Sequence, residues 1–327
     1  MNFLKKAGSI AVAAALTSAM LMGCGASDLD ATVMTIDGEE ISNAEYRYYF
    51  NTLKSNFDQG DENYWEENED QIASLKTLAS QYLLNSYAVS LLAEEEGVAL
   101  TEDEKKTVDD TIQSMIEQYG SEEKMEEALD QSNLTSDVYR KLMENNLLSE
   151  KLFEQLYGDQ ILENVNDENY FCAKHILVKF DDEDAKTHKE ELEAAQKLLK
   201  RAQDGEDFDT LIEEYGEDPG MTSTPQGYYF DINGQTPDGG GLVEEFYKAT
   251  QALEINGISD IVETSYGYHI IKRMPLDMDY IAENKTSFAN DEINEDFSSK
   301  LAAVQEKLDV EYKGTYKKIS TDTYTKS

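Results

Sequence analysis

The sequence predicts an α+β protein in two parts. One is helical, made of N-terminal helices and a returning C-terminal helix, and the other is an inserted module whose antiparallel-rich sheet is flanked by helices. Three observations predict this. Apolar residues recur at helical spacing through the first 165 residues, strand-like runs open at Tyr170 and close near Arg273, and one more amphipathic stripe follows Pro275. A single amphipathic helix cannot bury its own stripe, so the last helix is expected to pack on the N-terminal ones.

The chain opens on a segment outside this fold. Residues 1–27 hold no acid, although 68 of the 327 residues are Asp or Glu. Lys5 and Lys6 precede a sixteen-residue apolar stretch, 7–22, which is too short and too rich in Ala for a membrane span and reads as an export signal. It ends in Leu21-Met22-Gly23-Cys24, which resembles a bacterial lipobox. Residues 1–23 are expected to be a lipoprotein signal peptide, with Cys24 acylated to anchor the mature chain in the membrane. Cleavage removes two Lys and no acid, taking the net charge from −40 to −42.

After a tether at 24–31, residues 32–36 and Asp37-Gly38 read as a short strand and turn. Ser42 with Glu45 gives a capping box that opens a helix, and Ile72, Leu75, Leu78, Tyr82, Val89 and Leu92 carry helical spacing to Gly97. Thr101 with Glu104 opens another helix, closed by Gly120, and 121–131 and 135–157 follow. These elements make a helical domain over 32–165. The module, 166–276, reads as a strand at 171–180, helices at 185–204 and 208–215, a Gly- and Pro-bearing loop with a strand, a helix at 243–252 and a final strand at 261–273. In the C-terminal part, 277–327, Ile293, Phe297, Leu301, Val304 and Leu308 mark the returning helix.

Charge and composition exclude several functions. Nucleic-acid binders displace counterions with clustered Lys and Arg, and 28 of these against 68 acids does not fit. An anionic lipid surface would be repelled as well, which leaves the lipid on Cys24 as the means of attachment. With Cys24 assigned to the anchor, only Cys172 remains, so no intrachain disulfide forms. Residues three apart in a strand face opposite ways, so Cys172 and His175 do not form a nucleophile and base pair. The run Gly239-Gly240-Gly241 lacks the Lys-Ser/Thr of a phosphate loop and reads as a flexible turn. No acidic cluster has the Gly-bearing calcium-loop pattern, and neither a metal nor a cofactor is expected.

Two of three His lie in the strands that open and close the module. They are His175 in Ala173-Lys174-His175-Ile176-Leu177-Val178 and His269 in Tyr266-Gly267-Tyr268-His269-Ile270-Ile271, whereas His188 reads as exposed helix. Around them stand Gly205-Glu206-Asp207-Phe208, Tyr215-Gly216-Glu217-Asp218-Pro219-Gly220, Leu242-Val243-Glu244-Glu245-Phe246 and Gly257-Ile258-Ser259-Asp260. In order and spacing these words resemble the parvulin-type peptidyl-prolyl cis-trans isomerases over residues 170–275. With the lipobox and the helical flanks, the whole chain resembles the PrsA-type extracytoplasmic foldases, whose N-terminal part is related to that of SurA.

The resemblance implies the rest of the site. It places the paired histidines at His175 and His269, the family's Cys-or-Asp position at Asp218, and a hydroxyl near the second histidine at Thr264. The proline pocket falls on Leu242 and Phe246, expected four apart on one helix face. Where relatives read Gly-Asp-Leu-Gly-Trp-Phe and a short turn, this chain reads Gln226-Gly227-Tyr228-Tyr229-Phe230 and an extended loop at 231–241, so Tyr229 and Phe230 are expected to replace the missing pocket wall. The implied partners are unfolded or newly secreted polypeptides with X-Pro bonds, the implied assembly is a homodimer, and the implied location is the outer face of the cytoplasmic membrane. The competing reading is a holdase whose isomerase module is inactive. Asp181-Asp182-Glu183-Asp184 stands where phosphate-directed relatives carry Arg and Lys, which argues against phosphorylated substrates.

Overall fold

A computed structural model describes residues 29–61, 63–181 and 188–320. The expected signal peptide and Cys24 lie outside the described residues, as do Asp182, Glu183 and Asp184.

Strand β1 (Thr32–Ile36) turns at Asp37-Gly38 into an antiparallel β2 (Glu39–Ser42), a second strand where one strand and a turn are expected. Ser42 then caps α1 (Asn43–Asp58), its Oγ accepting the Glu45 N–H at 3.2 Å. The expected capping box stays half-built, because the Glu45 carboxylate pairs with Lys141 Nζ at 3.0 Å. The helical run breaks after Asp58, whose carboxylate accepts from Trp65 Nε1 at 2.8 Å and from Lys54 Nζ at 2.6 Å. A short α2 (Tyr64–Glu67) and a 3₁₀ turn (Glu69–Gln71) lead into α3 (Ile72–Glu95). Thr101 and Glu104 do complete a capping box at the start of α4 (Glu102–Tyr119). Then follow α5 (Glu122–Gln131) and α6 (Ser136–Asn164). Two cores form here. One gathers Met34, Ile36, Tyr46, Phe50, Leu75 and Leu83, the other Ala44, Val108, Ile112, Met125 and Leu129. Tyr82, expected in the helical stripe, is 43% exposed.

The module begins with β3 (Tyr170–Lys179), α7 (Lys189–Gln203), α8 (Phe208–Tyr215) and α9 (Pro219–Ser223). It continues through β4 (Tyr228–Asp231), α10 (Glu244–Gln251), β5 (Val262–Thr264), β6 (Gly267–Met274) and α11 (Met278–Glu283). The expected single strand at 261–273 is a hairpin, β5 and β6 joined at Ser265-Tyr266. The four strands pair antiparallel in the order β4-β3-β6-β5. Alternation divides the residues between two faces. Ile176, Val178, Tyr268 and Ile270 meet α7 and α8, while Phe171, Ala173, Ile271 and Phe230 meet Phe246 of α10. His188, expected as exposed helix, sits at the N-cap of α7, only 12% exposed and stacked on Phe180 with ring centroids 3.6 Å apart. Phe180 supplies the apolar surface that the helical pattern did not reveal.

The chain then forms α12 (Asp291–Gln305), β7 (Val310–Tyr312) and α13 (Gly314–Lys318). The stripe Ile293, Phe297, Leu301 and Val304 is buried; Phe297 meets Phe153 edge-on at 5.1 Å, and Gln305 Nε2 donates to Asn85 Oδ1 at 3.0 Å. β7, a strand not foreseen, pairs with β1, giving the order β2-β1-β7. The returning segment thus supplies a helix and a strand to the N-terminal part. Two compact units result, residues 157–291 and the remainder on both sides of them. No described helix is long and apolar enough to cross a membrane.

Candidate active site

The site is assembled by strand register. In the β3–β6 ladder Leu177 faces His269 and His175 faces Ile271, so the two histidines are diagonal neighbours on one face. Their Nδ1 atoms are 2.9 Å apart, and both residues are buried. Thr264 lies on the same face, opposite Gly267 in β5–β6, and its Oγ1 is 2.9 Å from His269 Nε2. Asp218 arrives from the other side as the N-cap of α9. The preceding residue is fastened to the end of β3, Glu217 N–H donating to Leu177 O at 3.0 Å and Lys179 N–H to Glu217 Oε2 at 2.6 Å. This brings Asp218 Oδ2 to 2.8 Å from His175 Nε2.

Asp218 accepts twice more, from the Tyr228 hydroxyl at 2.7 Å and, through Oδ1, from Gly220 N–H at 3.1 Å. A Cβ at Gly220 would overlap the Tyr228 hydroxyl, so glycine there lets the phenol reach the carboxylate. The bond from His175, with those from Tyr228 and Gly220, holds the Asp218 carboxyl well below the usual carboxylate range despite partial burial. Burial and the Asp218 charge push the Tyr228 phenol up. Burial, then neighbouring His175, pushes His269 down to about 3, against a weaker opposing pull from Asp218.

These contacts restrict the protons. Ionised Asp218 only accepts, so His175 Nε2 carries hydrogen. With both rings neutral, His269 Nδ1–H donates to His175 Nδ1, Thr264 O–H donates to His269 Nε2, and Thr264 Oγ1 accepts Tyr266 N–H at 3.1 Å. The ring nitrogens of both histidines and the Thr264 hydroxyl are then all partnered without a second buried charge.

An apolar wall adjoins this chain of bonds. Phe246 is 4% exposed and stands edge-on to His175 and His269, with centroids 5.0 and 5.5 Å away. Leu242 packs in the same cluster, but it precedes the Val243 N-cap and does not share a helix face with Phe246. Its N–H is fixed by Gly234 O at 2.9 Å. Phe230 is fully buried against Phe171, beneath this wall. Tyr229 does not join the site. It pairs with Cys172 on the opposite sheet face and stacks on Tyr280 at 5.0 Å. Adjacent strand residues cannot share a face, so Tyr228 and Phe230 belong to the site side and Tyr229 does not. Tyr228 was missed in the sequence, where its i, i+2 relation to Phe230 was the available signal.

No group of His, Cys, Asp and Glu among the described residues could hold a metal ion. Cys172 is buried, its thiol pushed up to about 12 mainly by that burial.

Residues 159–274 match the family profile described as a PPIC-type PPIase domain, and residues 2–153 match a SurA-like N-terminal domain. A curated relative, the foldase protein PrsA of Staphylococcus aureus (strain bovine RF122 / ET3-1), is 29% identical over 226 residues, 67% of this chain. The match spans 62% of that relative's own length. Among solved structures, PrsA from Streptococcus pneumoniae is 20% identical with a TM-score of 0.37, covering 81% of this chain and 92% of that one. The Bacillus anthracis peptidylprolyl isomerase PrsA is 21% identical with a TM-score of 0.29, covering 69% and 96%. The chain thus matches, in order, a SurA-like N-terminal domain and a PPIC-type PPIase domain.

Proposed function

We propose that the module at 166–276 catalyses cis-trans isomerisation of X-Pro peptide bonds in unfolded or newly secreted polypeptides. The observation that carries this reading is the hydrogen-bonded chain Thr264–His269–His175–Asp218, with links of 2.9, 2.9 and 2.8 Å, set against the Phe246 ring.

Rotation about an X-Pro bond breaks no covalent bond but crosses a barrier of about 18–20 kcal/mol, because twisting removes amide conjugation. A thousandfold acceleration asks for about 4 kcal/mol. The planar amide is more dipolar than the twisted one, so a dry apolar pocket at Leu242 and Phe246 disfavours the ground state relative to the transition state. The buried histidine rings present fixed dipoles to the rotating carbonyl, and the Asp218 charge stays one ring away, orienting them. Such a site needs no nucleophile.

The wider assignment rests on the sequence and the relatives. The parts at 32–165 and 277–327 would receive client chains, the 1–23 signal would direct export, acylated Cys24 would hold the protein at the outer face of the cytoplasmic membrane, and two copies would form the working unit. A protease-coupled proline-peptide assay on the mature protein tests the activity: acceleration over the uncatalysed rate is expected, and its absence would leave the holdase reading. Radiolabelled fatty acid should enter the wild-type chain and not Cys24→Ala, and equal labelling would refute the anchor. Light scattering reads the dimer.

A further inference from the structure

The segment at 231–241, which the sequence marks as an extended Gly-rich insertion, is a bonded structure. Asp231 Oδ1 accepts from Asn233 N–H and Gln235 N–H, both at 2.8 Å, and Asp231 N–H donates to Gln235 O at 2.9 Å. A second turn follows, with Gly239 N–H to Thr236 O at 2.9 Å, Thr236 N–H to Gly240 O at 3.1 Å, and a bridge between Gln235 and Gly241. The flexible turn expected at Gly239-Gly240-Gly241 is therefore closed on itself by hydrogen bonds.

This structure touches α10 at three levels. Just before its N-cap, Leu242 N–H donates to Gly234 O at 2.9 Å; at its last residue, Gln251 Nε2 donates to Ile232 O at 2.8 Å. Midway, Gly234 lies so close to the Tyr247 ring that any Cβ would overlap it, and its φ of +77° is one that L side chains rarely adopt. The same short helix carries Phe246 against both histidines.

We propose that 231–241 is a brace that sets the proline pocket, and that Gly234 is its positioning residue. The loop fastens both ends of α10, and Gly234 fixes how deeply Tyr247, and hence neighbouring Phe246, sits against the His175–His269 pair. The inference deepens the isomerase reading and rests on it for its kinetic consequence only; the mechanical claim stands on the contacts.

The test uses the full mature chain as wild type, Gly234→Ala, Gln251→Ala and the double variant Gly234→Ala/Tyr247→Ala. Each is measured for KM and kcat with a proline peptide and for amide hydrogen exchange along the module. Gly234→Ala should raise KM at least fivefold and speed exchange at 242–251, leaving 175–178 and 268–271 protected. Gln251→Ala should act in the same direction but less. Removing the Tyr247 ring makes room for the new methyl, so the double variant should regain exchange protection relative to Gly234→Ala. Unchanged KM and exchange in Gly234→Ala would overturn the brace, and so would exchange that rises evenly over 170–274, which reports global loosening. If wild type lacks isomerase activity, the proposed function falls and the exchange pattern alone decides the brace.

Discussion

Replacing Asp218 by Asn is expected to reverse the polarity of the histidine chain while leaving the fold almost intact. The wild-type carboxylate takes two donors on Oδ2, His175 Nε2–H and Tyr228 O–H, and one on Oδ1, Gly220 N–H. Asn keeps the cap through its carbonyl, and caps a helix about as well as Asp. Its amide then faces the two former donors with two hydrogens of its own. Tyr228 accepts one, and His175 accepts the other only by moving its proton from Nε2 to Nδ1. His269 Nδ1 must then become the acceptor, and its Nε2–H donates to Thr264. The loss is the difference between charge-assisted bonds, worth roughly 1.5–3 kcal/mol each, and neutral ones, worth about 0.5–1.5 kcal/mol. One to two kcal/mol on the His175 link converts to about 5–30-fold in kcat/KM. Asp218→Ala should cost more stability, because it adds the lost cap, about 1 kcal/mol, to an unsatisfied histidine N–H, about 1–3 kcal/mol. Proline-peptide kinetics, urea unfolding and nitrogen NMR of the imidazoles read the three effects. Full activity in Asp218→Asn with unmoved imidazole nitrogen shifts would refute the polarity argument.

Further outcomes follow from the same geometry. Phe246→Ala, removing a ring that is 4% exposed, should destabilise the module by roughly 3–5 kcal/mol in urea unfolding and weaken peptide binding. Tyr228→Phe removes one hydrogen bond to Asp218 and should cost about 1 kcal/mol without disturbing the backbone, seen as a lower urea midpoint at unchanged slope. His269 titrates lower when folded than when unfolded, so the unfolded chain binds the extra proton; stability should fall as pH drops from about 6.5 towards 3, with Asp218 adding loss at the acid end. Urea midpoints across that range should slope less in His269→Asn. Cys172, buried and with its thiol raised, should resist labelling in native buffer at neutral pH and react fully in denaturant.

The parts of the fold that the sequence made legible are those whose signal is local. Helix spacing found α3 through α6 and α12, and paired caps located the start of α4. What it could not show is pairing at long range. β7 is three residues long and has no pattern of its own; it is a strand because Met34, Thr35 and Ile36, far earlier in the chain, offer it an edge. The hairpin at Ser265-Tyr266 was hidden for a related reason, since Val262 to Thr264 and the start of β6 read as one continuous run until a fold places Thr264 opposite Gly267.

The site divides in the same way, and the division locates what is hard about it. The histidines, Asp218 and Phe246 each stand in a distinctive word of sequence. Tyr228 and Tyr229 stand side by side in one word, and only the strand phase separates them. That phase follows from Phe171, Ala173 and His175, which share a face of β3, and from the register that sets Phe230 against Phe171 and Tyr228 against Ala173. A slip of one residue in that pairing would turn Tyr228 away from Asp218 and send Tyr229 towards the histidines. The register is held by packing on both faces, with Phe230 stacked on Phe171 and Tyr229 on Tyr280. The Tyr228 bond to Asp218 is thus fixed by apolar contacts that never touch the carboxylate.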